Sequence, residues 1–236
     1  MTTELPGYPK PRGRPRPRRM RRIVTVLGAL ALVLGLTGLC QAGGWMSRAD
    51  CGQWDVVFDG YGQATCADGL LRLSPRAATV ADRTHAGLAT STSARIEQNT
   101  TQTISTTMTT VEQLRENDKP NTWEVAWLLW SYTDNNHFYA LVLKPNGWEV
   151  SKQDTDYPGY QRFLASGDTP SFPTGTSYEA SVRVETTGSR AVFTITVDGQ
   201  ELATVTDTDS PYMSGAAAAY CEDAVVTFTP ITRTEE

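Results

Sequence analysis

The sequence predicts an all-β domain: two antiparallel sheets packed as a sandwich or jelly roll, preceded by one N-terminal transmembrane or signal helix. Three observations carry this expectation. From Trp54 onward the chain is a succession of short β-branched and aromatic stretches separated by turn signals. Beyond the N-terminal segment no stretch sustains a helical period. Residues 23–39, IVTVLGALALVLGLTGL, carry no charge at all.

The N-terminus is read first. Residues 1–22 hold eight basic side chains (Lys10, Arg12, Arg14, Arg16, Arg18, Arg19, Arg21 and Arg22) against Glu4 alone. Basic flanks stay in the cytoplasm, which makes this segment a cytoplasmic tail. The apolar run then spans roughly 27 Å as a helix at about 1.5 Å per residue. That suffices for a thin bilayer and exceeds a usual signal-peptide core. Residues 23–40 are therefore expected to cross the cell membrane once, with 41–51 as a stalk and the domain at 52–232 outside. Secretion after cleavage near Ala42 is the alternative. The chain beyond residue 22 carries thirteen Lys/Arg against twenty-five Asp/Glu. So acidic a body repels phosphate backbones, and nucleic acid is excluded as a partner.

Within the domain each strand has its own pattern. In SVRVE, Val182 and Val184 face one way and Ser181, Arg183 and Glu185 the other. In AVFTITV, Ala191, Phe193, Ile195 and Val197 alternate with Val192, Thr194 and Thr196. Asp198-Gly199 turns this strand into 200–206, and Pro145-Asn146-Gly147 joins FYALVLK to WEVSKQD. Further strands are expected at 54–61, 70–73, 102–111, 123–132, 216–220 and 224–231. The Thr-rich run around Ile104 and Met108 suits an exposed strand, and residues 113–117 one helical turn. Four cysteines suit an oxidising compartment. Cys40 stands at the membrane edge, so Cys51, Cys66 and Cys221 cannot all pair internally. Cys51–Cys66 and Cys66–Cys221 are rival bridges.

Chemistry-bearing residues concentrate in the middle of the domain. Trp123, Trp127, Trp130, Tyr132, Phe138, Tyr139 and Trp148 crowd into one short stretch. Aromatic rings stack on the C–H faces of sugars, and nearby amides and charges bind the hydroxyls. Trp130, Tyr132, Lys144 and Trp148 are accordingly the candidate ligand contacts. The opposing expectation is that these rings are core, because both faces of 123–130 are largely apolar, as in a strand covered on both sides. Glu124 lies among Trp, Val, Ala and Leu, where a carboxylate must be paired or put to use. It is either a general acid or base or half of a buried ion pair with Lys144 or Arg162. Two histidines and no metal-ligand spacing argue against zinc.

The opening WDVVFDGYG and the closing GAAAAYCEDAVVTFTPI together resemble the concanavalin A-like lectin/glucanase superfamily, in particular its laminin-G-like and bacterial sugar-hydrolase-like jelly rolls. The middle block from Pro120 to Asp154 is similar to the concave-sheet strands of such domains. The resemblance implies a lectin-like domain for a polysaccharide or cell-wall glycan. It also implies a structural calcium tying the closing strand to the opening one through Asp59 and Asp223. The E-x-D-x-x-E strand of the glucanases is absent, since only Glu124 stands in its register. Alginate-lyase-type jelly rolls offer a looser match in Gln113-Leu114-Arg115, His137 and Tyr139 with Lys144. In that enzyme reading His137 or Tyr139 takes a proton and Arg162 neutralises a uronate. A structural or partner-binding ectodomain is the third reading.

Overall fold

The computed structural model describes residues 51–67, 69–80 and 83–236. The tail, the apolar segment and the stalk up to residue 50 lie outside the described residues. Fifteen strands form two antiparallel sheets, and the described residues contain no helix. One sheet is ordered β1 (Trp54–Phe58), β4 (Ala86–Ile96), β13 (Gly215–Glu222), β6 (Ala126–Asp134), β7 (His137–Lys144), β8 (Gly147–Gln153), β9 (Gln161–Gly167). The other runs β12 (Gln200–Asp207), β11 (Arg190–Val197), β10 (Ser177–Thr187), β5 (Thr101–Gln113), β14 (Ala224–Phe228), β3 (Leu70–Ser74), β2 (Gln63–Ala67). β15 (Thr232–Glu235) continues the edge of β5 beyond β14.

The period-two patterns place the core. Val182, Val184, Phe193 and Ile195 have no exposed surface and meet Leu128, Trp130, Tyr139, Leu141 and Val150 of the facing sheet. β6 is covered on both faces, as its composition requires. Ala126, Leu128 and Trp130 point between the sheets, while Trp127 and Leu129 join Phe138, Ala140 and Val142 in a second apolar cluster on the sheet's other face. The bridge is Cys51–Cys66, and Cys221 is a free, buried thiol whose pKa burial pushes up to about 12. The bridge joins the start of β1 to the edge strand β2, linking the two sheets at one side.

Several expectations are corrected. Residues 123–125 precede the strand instead of opening it, and no helical turn forms at 113–117. The Thr-rich strand β5 is central, hydrogen-bonded to β10 on one side and to β14 and β15 on the other. β2, β4, β9 and β15 had no clear sequence signal, because β4 (AGLATSTSARI) is built of small and hydroxyl residues and the others are short and lie at sheet edges.

Candidate functional site

The aromatic candidates divide by face. Trp130 is fully buried, stacked on Tyr139 at 5.7 Å and edge-on to Phe193 at 5.2 Å. Trp148 is 7 % exposed and donates its Nε1 hydrogen to the Thr169 carbonyl at 3.1 Å. Tyr132 is buried and donates its hydroxyl to Asn135 at 2.9 Å. None of these rings presents a free face, which corrects the expectation that Trp130, Tyr132 and Trp148 stack on sugar. Large rings at strand centres between or under sheets give up the most unfavourable water contact by burying. Lys144 is likewise committed, to Glu149.

Glu124 is half of a buried ion pair, and its partner is Arg115 instead of Lys144 or Arg162. Arg115 Nε donates to Glu124 Oε1 at 2.7 Å, and both side chains are essentially without exposed surface. The same guanidinium donates to Asp223 Oδ2 at 3.1 Å and to the carbonyls of Val80 and Arg83 at 3.1 and 2.9 Å. Asn121 supplies two further donors to Glu124, from its backbone N–H at 3.0 Å and its side-chain amide at 2.7 Å. Fully enclosed, Glu124 is placed for the second of its two expected roles, the buried ion pair. Arg115 ties Val80, Arg83 and the 114–125 loop to the β13–β14 turn.

Asp223 does not fit a calcium ligand. Its Oδ1 accepts the backbone N–H groups of Ala78 and His85 at 3.0 and 3.1 Å, and its Oδ2 faces the Arg115 cation. Burial pushes its carboxyl up in pKa, against the pull of those donors. Two amide N–H groups on one oxygen and a guanidinium on the other already engage this carboxylate, and the adjacent cation opposes a divalent one. Asp59 is exposed, and among the described residues no three His, Cys, Asp or Glu side chains gather as a ligand set.

The remaining candidates do converge, at the end of the sandwich where β6 passes into β7 and β8 into β9. Tyr139 donates its hydroxyl to Asp207 Oδ2 at 2.7 Å and accepts the Tyr212 N–H at 3.0 Å. Lys152, fully buried, reaches Asp207 at 3.1 Å, donates to the carbonyls of Asp209 and Ser210 at 2.6 and 2.9 Å, and lies 4.6 Å from the centre of the Tyr212 ring. Arg162 pairs with Asp209 at 2.9 Å and sits 3.9 Å from Asp207. His137 stands edge-on to Tyr212 at 5.4 Å and shares a hydrogen bond with Asp134 at 2.8 Å. The Asn136 N–H and then that bond hold Asp134 below the usual carboxylate range. The network is a brace that pins the β12–β13 loop to β7 and β8. Burial and the Asp207 carboxylate hold the Tyr139 phenol well above its ordinary pKa, and its hydrogen is already given to Asp207. Lys144 lies at the far end of β7.

This brace carries an exposed surface that sequence reasoning missed. The segment between β8 and β9 folds back on itself. Asp154 N–H donates to the Tyr160 carbonyl at 2.9 Å, Tyr160 N–H to the Tyr157 carbonyl at 2.9 Å, and Asp156 N–H to Asp154 Oδ1 at 3.1 Å. Gly159 and Tyr160 both take left-handed backbone, at φ 88° and 64°, a conformation unusual for tyrosine that surrounding structure must impose. The result presents Tyr157, Tyr160 and Phe163 outward at 46, 50 and 47 % exposure. Asp154 and Asp156 belong to the same turn, and Arg162, next to Phe163 in sequence, is paired with Asp209. The usable signal was DYPGYQRF itself, two tyrosines around a Pro-Gly turn, where rings cannot enter the core.

The two sheets and their order define the class: a concanavalin A-like jelly-roll sandwich. Among solved structures, the carbohydrate binding module CBM66 from Bacillus subtilis matches 80 % of this chain and 98 % of its own, at 16 % identity and a TM-score of 0.54. The potassium-bound carbohydrate recognition domain of Emp46p matches 77 % of this chain and 88 % of its own, at 9 % identity and a TM-score of 0.51. No family model and no curated protein matches the sequence.

Proposed function

We propose that this domain binds carbohydrate, and that the ligand is a polysaccharide or cell-wall glycan met outside the cell membrane, with residues 23–40 as the anchor. The observation that carries the reading is the Tyr157–Tyr160–Phe163 surface. Three half-exposed rings within seven residues, two on a turn held by its own hydrogen bonds and one on the edge strand β9 that follows it, are costly to leave in water unless a ligand covers them. The turn's own Asp154 and Asp156 supply acceptors that hydroxyl groups need. The fold neighbours named for carbohydrate binding and recognition point the same way. A catalytic role has less support, because Glu124 and Tyr139 are sealed inside and the exposed His137 is hydrogen-bonded to Asp134.

The test is a glycan array probed with the full chain in a zwitterionic detergent, followed by calorimetry on each hit. Tyr157→Ala with Phe163→Ala should weaken binding roughly tenfold, at about 0.5–1.5 kcal/mol per stacked ring. Tyr160→Asn, which keeps a residue tolerant of left-handed backbone, should cost a similar factor per ring. An array without a hit, or variants that bind like the parent, would overturn the reading.

A further inference from the structure

The other end of the sandwich carries a second built surface. Pairing of Phe58 with Leu88, Leu88 with Tyr220 and Tyr220 with Trp127 sets the β1–β2 turn at the end of the sheet where β6 begins. The loop after β8 lies at the end where β6 finishes. In the β1–β2 turn, Asp59 Oδ1 accepts the Tyr61 N–H at 3.1 Å, and both Gly60 and Tyr61 take left-handed backbone at φ 64°. The turn is clamped from beneath. A Cβ on Gly60 would stand 2.6 Å from the Ala86 carbonyl oxygen, and one on Gly62 would stand 2.0 Å from that of Ser74. Only glycine permits that approach at the two positions that flank Tyr61. Its side chain is 82 % exposed, so packing does not explain the strained backbone. Such strain clusters where a ligand is met.

Beside this ring is a cavity of about 470 Å³ lined by Phe58, Asp59, Tyr61, Thr84 and His85, large enough for a small ligand. His85 stands edge-on to Tyr61 at 5.4 Å, and its Nδ1 lies 2.6 Å from the Arg76 carbonyl. A carbonyl only accepts, so Nδ1 carries the hydrogen and Nε2 is left for another partner. The backbone of His85 is locked in both directions to Asp223, and through it to Arg115. Arg76 and Arg83 line the adjoining cavity of about 270 Å³, which also reaches His85. Neither guanidinium makes an ion pair among the described residues.

We infer that this turn is a second binding site, separate from the Tyr157–Phe163 surface, for a sugar ring that bears a carboxylate. The ring stacks on Tyr61, its hydroxyls meet Asp59 and His85, and its carboxylate faces the arginines. An arginine fork matches a carboxylate geometrically, and in so acidic a domain a cationic pocket selects anionic ligands. Calorimetry on the full chain with tetragalacturonate, and with a glucuronate oligosaccharide of similar length, tests the inference against neutral cellotetraose. At least one uronate should bind, more weakly as salt rises, and more tightly than cellotetraose. Tyr61→Asn, which keeps a residue suited to left-handed backbone, and Arg76→Gln should each lower that affinity at least tenfold with unchanged melting curves. Tyr157→Ala with Phe163→Ala should leave it alone, which separates this site from the one proposed above. Failure of both uronates to bind, equal binding of cellotetraose, or full uronate affinity in Tyr61→Asn and Arg76→Gln would overturn the inference.

Discussion

Glu124→Gln perturbs one atom of the Arg115 cluster, and the structure sets its cost. Glu124 Oε1 accepts from Arg115 and from the Asn121 side chain, while Oε2 accepts the Asn121 N–H at 3.0 Å. A glutamine must turn its NH₂ toward one of these sets of donors. The less damaging choice sets two donors face to face at Oε2, worth about 1–3 kcal/mol in a buried site. Arg115 then keeps Asp223 as its remaining buried counter-charge, so the loss should approach the lower end of the roughly 3–5 kcal/mol seen when a buried pair is broken. For a domain of this size about 3 kcal/mol corresponds to a fall in Tm of roughly 6–12 °C. Scanning calorimetry with a urea titration measures it, and glycan affinity at the far-end aromatic surface should be unchanged. A variant that melts within a degree or so of the parent would refute the buried-pair account. Loss of binding at full stability would refute the assignment of Glu124 to structure.

Two further outcomes are expected. Burial lifts Glu222 to about 7 from 4.5, against the opposing hydrogen bonds of Tyr220 and Thr84. A raised carboxyl favours the protonated folded state, so its contribution is complete below about 4.5 and is lost as pH rises through about 7. Stability should therefore fall by up to about 3 kcal/mol across that window, at about 1.4 kcal/mol per pKa unit, and Glu222→Gln should flatten the profile; parallel profiles for parent and variant would contradict this. If residues 23–40 anchor the chain with its domain outside, an impermeant thiol reagent on intact cells should label a cysteine placed at 234 and spare one placed at 5; the reverse pattern would discard the topology.

The sheets were legible because their evidence is local. Alternation in SVRVE and AVFTITV, the Asp198-Gly199 turn and the two-faced apolar strand around Trp127 and Leu129 each follow from a few neighbouring residues. Strands such as β4 were not, since Ala, Ser and Thr become strand residues only when β1 and β13 flank them. The partner of Glu124 was also beyond reach. That the carboxylate needed a cation followed from its apolar neighbours, but which cation depended on the path of the 114–125 loop, and Arg115 rather than the strand residues Lys144 or Arg162 was delivered. By itself the sequence determined composition, charge asymmetry, the all-β pattern and the surplus of aromatic rings in this domain. Tertiary structure alone decided which rings are sealed and which are offered. Burial depends on what the opposite sheet brings, and so Trp130 and Trp148 vanished into packing while Tyr61, Tyr157, Tyr160 and Phe163, held on turns and an edge strand, kept their faces to solvent.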